Sequence, residues 1–202
     1  VYVKIDLGLG KNLACTGIYV PNSFRPDSDI VVVLYLHGHK GMYPGNAVLI
    51  NGYWDGARFP FFALREEVNA SRRNVIFVAP SLGTKSQAGT LSQPGGFDAF
   101  MKQVLAGLNE HYLMPRHGRR INDIQGIILA AHSGGGLPMW NIAKGTDQYT
   151  GKIKECWCFD SMYGWVASAW VGWAKAHLKQ SLYVYYGPAK GQYNPKTGKK
   201  AI

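Results

Sequence analysis

Apolar and polar positions along the chain predict short strands that alternate with amphipathic helices. Val1–Leu7 alternates between apolar and polar residues, and a second strand at Leu13–Val20 follows a turn, which predicts an opening hairpin. Later apolar runs are typical of strands buried on both faces of a parallel sheet. These further strands are predicted at Ile30–Leu36, Asn74–Ala79, Ile124–Ala131, Ile153–Phe159 and Leu182–Tyr186.

Helical spacing of apolar residues separates these strands. Phe97, Met101 and Val104, for example, fall on one face of a helix. Helices are predicted at Phe61–Ser71, Phe97–His111, Gly134–Lys144 and Trp165–Lys179. Strands alternating with helices predict an α/β fold, with a mostly parallel central sheet and helices on both of its faces. The absence of repeats and linkers favours one domain over residues 1–202, with a polar basic tail from about residue 188.

Composition narrows the class of protein without fixing its partners. Hydrophobic residues make up 47% and charged residues 17%, which is a globular composition. The formal net charge of +10 has two interpretations: ordinary solvated surface charge, or attraction to an anionic partner. Local clusters occur only at Arg116–Arg120 and Lys196–Lys200. No nucleic-acid motif is present, and no apolar run reaches the roughly 18 residues of a membrane span.

The three cysteines do not form the framework of a small secreted protein. Cys156 and Cys158 alternate along one predicted strand, so their side chains face the same side. That spacing is poor for a disulfide, and buried free thiols are expected. Cys15 is distant in sequence from both, and the cysteines leave the cellular compartment undetermined.

A serine stands at the turn between a buried strand and a helix. The turn reads Ala131-His132-Ser133-Gly134-Gly135. A tight turn of this kind lifts a serine hydroxyl above the sheet, and it needs small residues two positions before and after the serine. The helix N-terminus that follows lets the Gly134 N–H stabilise an oxyanion. We therefore predict that Ser133 is a nucleophile; the alternative is a phosphate-binding turn, although the Lys of a P-loop is missing.

A second motif, His37-Gly38-His39, ends an earlier buried strand. A His-Gly pair in this place supplies the second backbone donor to the oxyanion in folds that carry a nucleophilic serine turn. His39 is the predicted donor, with Lys40 or Gly41 as alternatives. An ordinary turn would also fit the motif, and its co-occurrence with the serine turn favours the catalytic interpretation.

The order of these motifs resembles the α/β-hydrolase superfamily, over roughly residues 1–186. The shared features are the opening hairpin, a strand ending in His-Gly, a strand ending in Ala-Pro, and a strand ending in His-Ser-Gly-Gly. Ala131 stands where the family more often has Gly. The resemblance implies a Ser-acid-His triad, in that chain order, and hydrolysis of an ester or an amide; it does not fix the substrate.

The resemblance points to Asp160 as the acid, since no Asp or Glu follows residue 186 and some members carry the acid after the preceding strand. A turn or helix cap would be the structural role of this carboxylate. The expected His after the last strand has no counterpart through Ile202. Either a closing strand and its His lie beyond this sequence, or the site is degenerate.

Aromatic residues in two loops are the candidates for substrate binding. They are Tyr53, Trp54, Tyr163 and Trp165, and Arg58 in the first of these loops is a further candidate that could bind a substrate carboxylate or phosphate. Aromatic walls suit an acyl group, a sugar or a hydrophobic chain, although such residues also fill cores beneath long loops.

The sequence therefore predicts a serine hydrolase, with a small or polymeric carboxylic ester as substrate and with no metal or organic cofactor. Three alternatives stay open: amide or peptide hydrolysis on the same triad, a catalytically degenerate hydrolase fold that only binds, and a basic surface for an anionic polymer.

Overall fold

A computed structural model describes residues 1–39, 54, 63–163 and 166–186, with the Asn12 side chain excepted. Predicted sites at Tyr53, Arg58 and Trp165, and the tail from residue 188, lie outside these residues. The strands are β1 (Tyr2–Val3), β2 (Thr16–Tyr19), β3 (Val31–Leu36), β4 (Val75–Pro80), β5 (Gly126–His132), β6 (Ile153–Phe159) and β7 (Ser181–Tyr185). The helices are α1 (Leu64–Ala70), α2 (Gly96–Leu108), α3 (Met114–His117), α4 (Gly136–Ala143) and α5 (Val166–Ala176).

The seven strands form one sheet in the order β1-β2-β4-β3-β5-β6-β7. β1 pairs antiparallel with β2, which confirms the opening hairpin, and β2 pairs antiparallel with β4. The other neighbours are parallel. The predicted mostly parallel sheet is therefore confirmed, and the carboxyl ends of β3, β5 and β6 lie at the same edge.

Side chains alternate across the sheet into two cores. The larger core, which we call the helix-rich face, receives Val32, Leu34 and Leu36 from β3 and packs against α2, α4 and α5. The opposite core receives Val33 and is covered by α1 among the described helices. Helices thus lie on both faces, as the alternating pattern predicted. Of the described helices, none is long and apolar enough to cross a bilayer.

β2 is shorter than the strand predicted at Leu13–Val20, because Leu13 ends a short 3-10 helix, Lys11–Leu13. Two further differences come from contacts between distant residues. β1 ends at Val3 instead of Leu7, because the Leu7 carbonyl accepts a hydrogen bond from the Thr90 N–H outside the sheet. The helix predicted to end at His111 continues through a π-helical turn, Asn109–Leu113, into α3. There the buried Asn109 amide exchanges two hydrogen bonds of 2.8 Å with the backbone of Ile121.

Candidate active site

Ser133 is the residue at which β5 gives way to a helix. His132 is extended, with φ −113° and ψ 134°, and Gly136 is already helical. Ser133 lies between them with φ +51°, in the left-handed region that residues with a side chain seldom adopt. Its side chain is partly exposed. The strand therefore turns into the helix around a strained, accessible serine, which is the backbone geometry of a nucleophile turn.

Glycines let three backbone segments meet around this serine. A Cβ atom on Gly135 would clash with the Leu36 carbonyl oxygen, and one on Gly136 would clash with the Ser161 carbonyl oxygen. A Cβ atom on Gly38 would lie 2.8 Å from the Ser133 Cβ. The ends of β3, β5 and β6 therefore approach too closely for any side chain at these positions.

His39 brings its imidazole to the serine turn. Its ring lies directly over Gly134, so that a Cβ atom on Gly134 would stand 2.6 Å from the His39 Nε2. The side chain of His39 is otherwise exposed. The backbone N–H groups of His39 and Gly134 remain the predicted oxyanion donors. The position of the ring is an additional feature that the sequence did not indicate.

His37 fixes the turn that carries His39. Its imidazole is 1% exposed, and its Nε2 accepts a hydrogen bond of 2.9 Å from the Leu82 N–H. The proton is therefore assigned to Nδ1, which lies 2.8 Å from the Gly38 carbonyl oxygen and donates to it. Both ring nitrogens are engaged inside the protein, so His37 holds the loops after β3 and β4 together.

Asp160 follows β6 at the same edge as Ser133. His132 and Phe159 are paired across β5 and β6, so Ser133 and Asp160 both stand one residue beyond a paired position. Asp160 also has a left-handed backbone, with φ +45°, and an exposed side chain. Its N–H donates a 2.8 Å hydrogen bond to the Tyr185 carbonyl oxygen. The sheet register thus places the predicted nucleophile and the predicted acid at the ends of adjacent strands.

Two predicted substrate-binding residues are described, and they lie in different environments. Trp54 is only 1% exposed; its ring packs on Gly17 and Phe77, and its Nε1 donates to the Tyr2 hydroxyl at 2.9 Å. Its predicted place in the cleft is corrected accordingly, because Trp54 fills the core near β1 and β2. Tyr163 is 52% exposed and lies three residues after Asp160, so its predicted role in binding stays open.

The other histidines divide between the two edges of the sheet. His132 is exposed at the serine turn, where its Nδ1 would lie 3.0 Å from a Cβ atom on Gly38. His111, His117 and His177 lie in segments that lead into β5 and β7, at the amino end of the strands. Among the described histidines, His39 and His132 are therefore the exposed ones that lie at the turn.

Beneath the turn, β6 presents two buried thiols to the helix-rich face. Cys156 and Cys158 are both fully buried and free, in agreement with the sequence analysis. Burial raises the pKa of both thiols, that of Cys158 to about 11, which keeps them neutral and poor nucleophiles. Within the described ranges, no cluster of three or more His, Cys, Asp or Glu side chains is arranged to hold a metal ion.

No protein-family model matches the chain, and no curated protein matches it in sequence. Solved structures of esterases are similar in fold. An acetyl xylan esterase from Aspergillus awamori has 17% identity and a TM-score of 0.39, over 77% of this chain and 49% of that one. A feruloyl esterase module from Clostridium thermocellum, complexed with sinapinate, has 10% identity and a TM-score of 0.44, over 86% and 62%. A thermostable esterase has 14% identity and a TM-score of 0.42, over 98% and 56%.

The chain thus spans about half to three fifths of the length of these structures. The fold itself is the predicted α/β one, with an antiparallel pair at one edge of a mostly parallel sheet and a serine at the turn after β5.

Proposed function

We propose that the protein is a serine hydrolase that cleaves carboxylic esters through an acyl-enzyme formed on Ser133. The observation that carries this proposal is the left-handed backbone of Ser133 at a turn where glycines allow neighbouring segments to approach closely. A turn between a strand and a helix does not need such strain, and a residue with φ +51° is ordinarily Gly or Asn. Strain retained at an exposed serine supports a chemical role for its hydroxyl.

The reaction follows from the groups around this serine. The Ser133 Oγ attacks the ester carbonyl while a base takes the hydroxyl proton, and the carbonyl oxygen becomes an oxyanion. The N–H groups of Gly134 and His39 donate hydrogen bonds to that oxygen. When the intermediate collapses, the base returns the proton to the leaving alcohol, and water then hydrolyses the acyl-serine in the same way.

The base must lie within hydrogen-bond reach of the Ser133 Oγ. His39 and His132 are the described histidines whose rings stand at the turn, whereas both nitrogens of His37 are engaged in the core. The resemblance implies a histidine after the last strand, which has no counterpart among the six histidines of this sequence. Asp160, one strand away from Ser133, would orient the ring and stabilise its charged form.

Hydrolysis of 4-nitrophenyl acetate and butyrate by the longest polypeptide that the gene encodes tests the proposal. Ser133→Ala should lower kcat/KM by about 10⁴-fold or more, and Asp160→Asn by on the order of 10³-fold, because triad residues act as a unit. His177→Ala, at the opposite edge, is the matched control and should leave the rate unchanged. His39→Ala and His132→Ala, assayed across pH, identify the base if one variant lowers the rate and removes its fall at acidic pH, because a general base acts only when it is deprotonated.

The results also separate the alternatives. Faster turnover of a 4-nitroanilide than of the matching ester would favour an amidase on the same serine. Full activity of Ser133→Ala would show that another group is the nucleophile. If a well-folded wild-type protein shows no turnover, the interpretation as an enzyme gives way to that of a hydrolase fold that only binds its ligand.

A further inference from the structure

Among the described residues, the segments that lead into the five parallel strands carry most of the Lys and Arg side chains. Since β3 to β7 are parallel, their amino ends meet at one edge of the sheet, opposite Ser133 and Asp160. We call this region the basic edge. It consists of residues 22–30, 71–74, 116–125, 144–154 and 175–180.

Charge is divided very unequally between this edge and the rest of the protein. The basic edge holds eleven Lys and Arg residues against four Asp and no Glu. The remaining described residues hold five Lys and Arg against seven Asp and Glu. Among the described residues, therefore, the whole positive excess is concentrated on one edge, and the remainder is slightly acidic.

Three of the four acids at the basic edge are already engaged. Asp27 pairs with Arg119, and Asp123 lies 2.6 Å from the Lys152 Nζ. The Asp147 carboxylate accepts hydrogen bonds from backbone N–H groups at the start of α2. The other nine cations are exposed and have no carboxylate partner among the described residues. They are Arg25, Arg72, Arg73, Arg116, Arg120, Lys144, Lys154, Lys175 and Lys179.

Large apolar side chains are exposed beside these cations. Leu178 is 88% exposed, in the turn between Lys175 and Lys179. Met114 is 39% exposed, two residues before Arg116. A single exposed Leu is ordinary on a protein surface. Apolar side chains set among cations on one edge, however, match the two layers of a bilayer interface, where charged headgroups overlie acyl chains.

We propose that the basic edge docks the protein on the surface of an anionic phospholipid bilayer. The nine free cations face the headgroups, while Leu178 and Met114 enter the boundary with the acyl chains. A linear polyanion in water would use the cations and gain nothing from the exposed leucine, so the apolar residues favour the bilayer. Docked this way, the edge that carries Ser133 faces the aqueous side. The docking does not depend on the proposed hydrolysis.

Co-sedimentation with vesicles tests this docking, using phosphatidylcholine alone or mixed with phosphatidylserine. The wild-type protein should bind the mixed vesicles, bind phosphatidylcholine weakly, and dissociate at high salt as the screening length falls from ~30 Å at 0.01 M to ~3 Å at 1 M. The triple variant Arg73→Glu/Arg120→Glu/Lys179→Glu should lose about 10²-fold or more in partition coefficient, since each cation near the surface contributes about a factor of five.

Two matched controls separate docking from net charge and from general hydrophobicity. Lys4→Glu/Lys85→Glu/Lys102→Glu changes the net charge equally, on exposed sites outside the basic edge, and should retain most of the binding. Leu178→Ser should weaken vesicle binding severalfold, while Val171→Ser, 54% exposed on the outer side of α5, should not. Thermal unfolding of each variant verifies that it folds.

Several outcomes would overturn the proposal. Equal losses in the two triple variants would show that net charge alone attracts the protein. Tight binding of heparin or DNA with no difference between the two kinds of vesicle would assign the edge to a soluble polyanion. If Leu178→Ser binds vesicles as well as the wild-type protein does, Leu178 makes no contact with the acyl chains, and the reason for choosing a bilayer is lost.

Discussion

At the scale of single residues, Ser133 and Asp160 hold left-handed backbone conformations where β5 and β6 end. Each residue has a side chain, and this conformation is less favourable than an extended or helical one by about 1–2 kcal/mol. Neither side chain could be exchanged for a more relaxed residue without loss of the hydroxyl or the carboxylate. At these two positions we therefore expect the side chain that the reaction needs to lower the free energy of unfolding.

Substitution at Ser133 separates the strain from the chemistry. Ser133→Ala and Ser133→Gly both remove the Oγ, but only Gly relieves φ +51°. We expect the Gly variant to have a free energy of unfolding about 1 kcal/mol higher than the Ala variant, measured by urea denaturation. At the exposed Lys102 in α2, the same pair of substitutions should give the opposite order, since Ala favours a helix. Equal stability of the two Ser133 variants would contradict the strained turn.

The buried thiols of Cys156 and Cys158 give a pH dependence with a defined sign. Burial raises their pKa values above the ordinary 9.0, that of Cys158 to about 11. Below pH 9 both thiols are protonated in the folded and unfolded states; above it, only the unfolded state loses its protons. The free energy of unfolding should therefore fall by about 2 kcal/mol for Cys158 alone between pH 9 and 11, because each pH unit in which only the unfolded state releases a proton costs about 1.4 kcal/mol.

Urea denaturation across this pH range measures the effect, with Cys156→Ala/Cys158→Ala as the comparison. The free energy of unfolding of the double variant should fall less steeply with pH, whatever its absolute value. Tyr35, whose pKa burial raises to about 12, contributes equally to both proteins and cancels. Parallel curves for the two proteins would mean that the thiols are not neutral and buried.

At the scale of elements, the site depends on how closely β3, β5 and β6 approach at their carboxyl ends. Gly136→Ala would press a methyl group against the Ser161 carbonyl oxygen, so we expect a loss of about 1–3 kcal/mol in the free energy of unfolding. Gly172→Ala is the control: nothing lies within 4 Å of its Cβ position in α5, and the substitution should stabilise the helix by up to about 1 kcal/mol. A neutral Gly136→Ala would show that the segments are not in contact.

The strands inside the sheet could be predicted from sequence because their apolar residues follow a clear pattern, unbroken in Val31–Leu36 and alternating in Ile153–Phe159. Ile153–Phe159 was predicted with both of its ends correct, and the strand predicted at Ile30–Leu36 spans Val31–Leu36. Predictions failed where distant residues compete for backbone groups, as Thr90 does for the carbonyl of Leu7. The buried amide of Asn109 likewise changes how α2 ends, through its hydrogen bonds with Ile121. The local spacing of apolar residues does not predict this partner.

The candidate site was predictable only in part, for a related reason. Ser133 follows from a motif that describes its own local turn, and Asp160 follows from its position after a strand. The contact of the His39 ring with Gly134, and the burial of Trp54 against Gly17, depend on how separate segments pack. A sequence pattern shows which residues are aromatic or basic, but not which surface they share.

At the scale of the whole molecule, the sheet separates two surfaces with different properties. The carboxyl edge brings Ser133, His39 and Asp160 together, while the amino edge collects the unpaired cations. The charge of the described residues is thus unevenly distributed over their surface. The topology creates these two edges. In a parallel sheet, the residues just before the strands lie at one edge, and the residues just after the strands lie at the opposite edge.

The central claim is that Ser133 is an activated nucleophile, and covalent labelling tests it most directly. The longest polypeptide that the gene encodes would be treated with a fluorophosphonate, and the adduct would be located by peptide mass spectrometry. The account predicts one phosphonyl group on Ser133, formed in the folded protein and absent from Ser133→Ala and from heat-denatured protein. A folded wild-type protein that stays unlabelled, or that is labelled on another residue, would contradict it.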